Sequence, residues 1–130
     1  MHITAAAISL NVEHVERSAS FLKDHFAFVE EMSADGFVSL RHDDTPLHVI
    51  FLRRGLASLK PDQLRDAHAD GLILAFEVDD IDSEYAHIQA KGVAIETPIE
   101  TEPWGERYFQ VRDPNGVIIQ LVQWVHSPHA

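Results

Sequence analysis

Cysteine is missing from all 130 residues, which removes disulfides, thiolate nucleophiles and cysteine-ligated zinc from consideration together. No apolar run reaches the about 18 residues that a membrane-spanning helix needs, so no membrane partner is expected. The opening Met1-His2-Ile3-Thr4 lacks the basic and apolar regions of a signal peptide, and with the missing cysteine this leads to the expectation of a cytoplasmic location. Basic charge is scarce as well. Ten Lys and Arg face 21 Asp and Glu, for a formal net charge of −11 at pH 7 with neutral histidine. Such a field repels phosphate backbones and anionic membranes, so nucleic acid is not an expected partner. It concentrates cationic small molecules, or it simply keeps an acidic surface solvated.

What is present is an ordinary apolar content in a chain of single-domain length. Residues 4–12, TAAAISLNV, read as a strand. Residues 15–26 then switch to helical spacing, with Val15, Ala19, Leu22 and Phe26 on one face. The same order returns further along the chain: 70–78, DGLILAFEV, reads as a strand, and Ile81, Tyr85, Ile88 and Gly92 repeat the helix spacing, with Gly92 placed at the helix end. Strand-like runs follow each helix, FVSLRH and LHVIFLRR in the first half and RYFQVR and VIIQLVQW in the second. The expected fold is α+β: one domain, 1–130, of two βαβββ modules at about 1–53 and 71–126, joined by the linker 54–70. That linker holds a short helix-compatible stretch around Pro61–Ala67.

Alternation sorts each strand into two faces. Ala6, Ile8, Leu10 and Val12 face a helix, as do Leu47, Val49 and Phe51, Leu72, Leu74, Phe76 and Val78, Phe109 and Val111, and Ile119 and Leu121. The opposite faces carry Ser9, His48, Ile50, Ile73, Glu77, Tyr108, Gln110, Gln120, Val122 and Trp124. They are too apolar for open water yet hold scattered polar groups, the mixture of a small-molecule cavity, or else of a dimer interface or second core. Asp113-Pro114-Asn115-Gly116 has the chemistry of a type I turn between the last two strands.

On ISLNVEHVERSASFL, LAFEVDDID and PWGERYFQVRDPNGVIIQLVQ, the chain resembles the vicinal oxygen chelate superfamily, the group of glyoxalase I, extradiol dioxygenases and bleomycin-resistance proteins. The resemblance implies paired modules whose strands curl into a cup around a ligand, and a homodimer that completes the cups. It also implies metal ligands on the first and last strands of each module. Those places fall on Ala7, Ile50, Ile73 and Gln120. Aliphatic side chains donate no lone pair and one neutral amide cannot hold a divalent cation, so neither a metal nor another cofactor is expected. Of the nine histidines, only His48 shares the cup-facing register with Ile50. The resemblance is strongest to the metal-free antibiotic-sequestering members, in which the tryptophan of a Pro-Trp-Gly segment lies beside the ligand; here that segment is Pro103-Trp104-Gly105.

The expected function is therefore metal-free binding of a small molecule, an antibiotic or another hydrophobic or cationic aromatic compound. The expected contacts are Trp104, Tyr108, Gln110, Gln120, His48, Ser9, Ile50 and Ile73, with no catalytic residue assigned. Trp124, at the end of the last strand, is expected to respond less to a guest than Trp104. Two alternatives stay open. One is a glyoxalase- or dioxygenase-like enzyme without the usual metal site, using His48, Glu77 or Tyr108 as acid or base. The other is an interaction module whose cup is filled by its own side chains.

Overall fold

A computed structural model describes residues 1–125; His126 and His129, at the end of the chain, lie outside the described residues. The chain divides into two compact units, Met1–Asp70 and Gly71–Ala130. The first runs β1 (Ala6–Val12), α1 (Val15–Phe26), β2 (Val29–Ala34), β3 (Phe37–His42) and β4 (Thr45–Arg53). Its sheet has the order β1-β4-β3-β2, with β1 parallel to β4 and the other pairs antiparallel. The second unit repeats this with β5 (Ile73–Glu77), α2 (Ile81–Ala90), β6 (Ile95–Thr101), β7 (Glu106–Arg112) and β8 (Ile118–Trp124), in the order β5-β8-β7-β6. The architecture is thus α+β, two four-stranded mixed sheets with one helix each. Among the described residues no helix is long and apolar enough to cross a membrane.

Alternation accounts for both cores. In the first unit Leu10, Val12, Val49 and Phe51 are buried with Val15, Ala19 and Leu22 of α1. In the second, Leu74, Phe109, Val111, Ile119 and Leu121 are buried, as are Ile81 and Ile88 of α2. Helix ends follow local chemistry. Asp80 caps α2 by accepting the Ser83 N–H at 3.2 Å, and the Gln123 side chain of β8 accepts the Ile81 N–H at 3.0 Å. Helix α1 stops at Ala27, which adopts the left-handed φ of 60° without being glycine.

One edge strand of each sheet, β2 and β6, was not legible in the sequence. VEEMSA of β2 is exposed along its whole length and IETPIET of β6 is interrupted by bulges, so neither shows the alternation that marks a half-buried strand. Segment 54–70 belongs to the first unit. Leu59 is buried, Asn11 Nδ2 donates to the Leu64 carbonyl at 2.7 Å, and the Ala69 N–H donates to the Asn11 carbonyl at 2.9 Å. Its helical part is a single 3-10 turn, Asp62–Leu64. Val122, which alternation places on the face away from α2, shares the register of Glu77 and Tyr108 there and is only 7% exposed.

Candidate functional site

The strand face turned away from α2 carries a hydrogen-bonded polar row. Ala75, Gln120, Gln110 and Thr97 stand side by side across β5, β8, β7 and β6. Thr97 Oγ1 donates to Gln110 Oε1 at 2.7 Å, and Gln110 Nε2 donates to Gln120 Oε1 at 2.8 Å. Both glutamines are half-buried. The chain of bonds satisfies three polar groups from within and leaves the Gln120 amide nitrogen as the donor at its end.

One row further, Tyr108 pairs with Val122 and Glu100. Its hydroxyl lies 2.7 Å from Glu100 Oε1 and 2.8 Å from Glu102 Oε1, so its one hydrogen is shared between two carboxylate acceptors. Losing the proton would set a phenolate against two carboxylates, so these bonds, Glu100 first, hold the hydroxyl well above the ordinary tyrosine range. In the other direction along the face, Ile73 pairs with Ile118 and is 53% exposed, and Arg112 binds Glu96 through two bonds at 2.8 and 3.2 Å.

Trp104 sits in the turn between β6 and β7 and is 56% exposed. The turn is closed by backbone bonds: Gly105 N–H to Glu102 C=O, Glu102 N–H to Glu106 C=O, and Val125 N–H to Gly105 C=O, at 2.8–2.9 Å. Gly105 takes a φ of 95°, which a side chain would resist. The last of these bonds ties the turn to the end of β8, and Trp124 stands opposite Glu106. The sequence reading expects Trp124, at the end of the last strand, to respond less to a guest than Trp104. Trp124 lies beside the same turn, because β7 begins where β8 ends.

In the first unit Ser9 and Ser39 flank Ile50 on either side, and Ala7 stands beside His48. His48 Nδ1 lies 2.8 Å from Glu31 Oε2, which also accepts the Ser39 hydroxyl at 3.1 Å. These bonds, that of His48 first, lower the Glu31 carboxyl below its ordinary value. Sequence reasoning placed Ser9, His48 and Ile50 here and missed Glu31 and Ser39. Glu31 occupies the β2 bulge between Glu30 and Met32, within a strand that no alternation announces. The placement brings Gln110 and Gln120 into contact and makes Ser9 and Ile50 neighbours. Tyr108 and Ile73 occupy adjoining rows, and Trp104 lies off the sheet in its turn.

Register also fixes the correspondence between units: Ser9–Ile50 matches Ala75–Gln120, and Ala7–His48 matches Ile73–Ile118. At Ala7, Ile50 and Ile73 no donor atom exists, and Gln120 Oε1 is already occupied by Gln110. These four places do not fit a divalent cation, which needs several N or O ligands. Among the described residues no group of three or more His, Asp or Glu is placed to hold one.

Residues 2–121 match the model of the Glyoxalase/Bleomycin resistance protein/Dioxygenase superfamily. The chain belongs to this superfamily. Bleomycin resistance proteins of Geobacillus stearothermophilus and Staphylococcus aureus are 28% identical to it over 126 residues, covering 92% of this chain and 96% of theirs. Solved structures share the superfamily fold. TioX from Micromonospora sp. ML1 aligns with a TM-score of 0.75 at 20% identity over 93% of this chain and 98% of its own. Lactoylglutathione lyase from Agrobacterium tumefaciens aligns with a TM-score of 0.73 at 16% identity over 92% of each chain.

Proposed function

We propose that this superfamily member is a metal-free small-molecule-binding protein of the cytoplasm, working as a homodimer, that sequesters a hydrophobic or cationic aromatic compound such as an antibiotic. The observation that carries the reading is the Thr97–Gln110–Gln120 chain, a satisfied amide row on a sheet face at the register where a metal-binding relative would place a ligand. Exposed Trp104 offers a rigid aromatic surface in the same unit, and the similarity to bleomycin resistance proteins points to the same class of guest. A cationic ring on an indole gains about 0.5–2 kcal/mol, and the net charge of −11 favours its approach. Exposed Ile73, Trp124 and Val125 are apolar surface of the kind that a second copy covers.

Titration calorimetry with metal-free bleomycin, beside elemental analysis of protein purified without a histidine tag, tests the reading. Binding with no stoichiometric metal is expected. One tightly held divalent ion per chain, or no binding by bleomycin or by a panel of cationic aromatic compounds, overturns it. Sedimentation at micromolar concentration is expected to show twice the chain mass. The bond between His48 and Glu31 favours a second reading, an enzyme using the imidazole as acid or base. Turnover of a glyoxalase-type substrate, lost in His48→Gln, would establish that reading instead.

A further inference from the structure

Glu31 settles which nitrogen of His48 carries its proton. A carboxylate has no hydrogen to give, and Glu31 is held ionised by the two bonds it accepts. The short contact at Nδ1 therefore requires an Nδ1–H donor, and a neutral ring then has a bare lone pair at Nε2. The imidazole cannot turn over without losing that bond. Ser39 is buried and donates to the same carboxylate oxygen, so the carboxylate is itself held in place. Nothing among the described residues is bonded to Nε2, and the His48 side chain is 29% exposed. On the β1 side Ala7 stands beside it and Ser9 one row on, next to Ile50, groups that do not compete for the lone pair; Arg41 of β3, whose charge also acts on Glu31, is bonded to Asp43.

We infer that Glu31 and Ser39 set His48 as a hydrogen-bond acceptor for a guest that brings an N–H donor on a positive charge, a primary or secondary ammonium group. This rests on the reading that the chain binds a cationic compound, and it adds the chemistry of the cationic end. An ammonium serves both features of the site: its N–H meets the Nε2 lone pair, and its charge is attracted by the Glu31 carboxylate on the far side of the ring. A phenol or amide donor would satisfy only the first. An anion would meet the carboxylate and the acidic surface as repulsion. His48 and Glu31 have no like-for-like counterpart in the second unit, where Ile118 stands at the position of His48, so each chain holds a single such site.

The test uses two probes of equal charge, phenethylammonium and its N,N,N-trimethyl analogue. The second keeps the ring and the cation and has no N–H. Equilibrium binding to the full chain is expected to favour the primary ammonium by about five- to tenfold, the range of a charge-assisted hydrogen bond at a partly exposed site. That preference should vanish in His48→Phe, and it should shrink in Glu31→Gln, which can turn its amide either way and no longer fixes the ring. Nitrogen-15 chemical shifts of the histidine rings, read in the unliganded protein, keep the argument testable apart from any guest: His48 is expected as the Nδ1–H tautomer. An Nε2–H tautomer overturns the inference. Equal affinity for the two probes overturns it as well while leaving the proposed cation binding in place, and so does bleomycin binding with no binding of either probe. Failure of all three compounds to bind removes both.

Discussion

Replacing Gln120 by Leu separates a polar row built to hold a guest from one that merely fills space. The substitution keeps the volume and removes the acceptor of the 2.8 Å bond from Gln110 Nε2. A neutral side-chain bond contributes about 0.5–1.5 kcal/mol net. At this half-buried position the added apolar contact of Leu recovers about 0.5 kcal/mol. The net destabilisation is then roughly 0–1 kcal/mol, or up to about 4 °C in the melting temperature of a domain this size. Thr97→Val, which takes the donor from the other side of the Gln110 amide, should lose a similar amount. The double variant should lose less than the two together, because Gln110 with neither partner is left to turn toward water, and the coupling should be about 0.5–1 kcal/mol. Urea denaturation followed by circular dichroism measures all three. Affinity for bleomycin should fall in Gln120→Leu by about 1 kcal/mol if the amide nitrogen reaches the guest. Additive stabilities would show that the row is not a connected unit. Unchanged affinity would show that Gln120 takes no part in binding.

Trp104→Ala should weaken binding of a cationic aromatic guest by about 1–3 kcal/mol and leave the fold intact; a bound guest should also quench Trp104 fluorescence, read in a Trp124→Phe background because both indoles adjoin one turn, and an unfolded or equally tight-binding variant defeats the assignment. Asp113 is 4% exposed and its carboxylate accepts the Asn115 and Val117 N–H groups at 2.9 and 2.8 Å, so Asp113→Ala should destabilise the protein by about 2–4 kcal/mol in denaturation experiments, and a loss below about 1 kcal/mol would refute that role for the turn. Tyr108 is favoured as the neutral phenol by the folded state, so its stabilising effect is complete below the ordinary value of 10.0 and is lost as pH rises through the folded value beyond it. Absorbance titration of a Tyr85→Phe protein should show tyrosinate appearing later than in free tyrosine, and less late once Glu100→Gln removes one of the two carboxylate charges beside it.

Much of this was readable from side-chain order. Phe109 and Val111 alternate with Tyr108, Gln110 and Arg112, and Leu10 and Val12 with Ser9 and Asn11, and the structure buries all four. The Asp113–Gly116 turn arises from residues whose own backbone preferences dictate it, and the Gly116 N–H bonds the Asp113 carbonyl at 2.9 Å as such a turn requires. The β2 edge of one sheet and the β6 edge of the other escaped. An edge strand such as β2 buries no face, so its composition answers to solvent and not to a core, and it carries no periodic signal. Glu31 was hidden for that reason, and its tie to His48 spans 17 positions of sequence, a pairing that only the sheet order creates. Val122 escaped differently: a wholly apolar run such as Val117-Ile118-Ile119 gives no alternation from which to judge the exposure of the residues after it.

The closed turn under Trp104 has a kinetic consequence. Three backbone bonds and a left-handed glycine leave the indole on a platform with little freedom to lose. Association then needs no slow ordering of a loop, and the encounter is set by diffusion and by the pull of an acidic surface on a cation. Differences in affinity among related guests are accordingly expected in how long each stays, with arrival rates nearly shared, and added salt should slow arrival without shortening the stay.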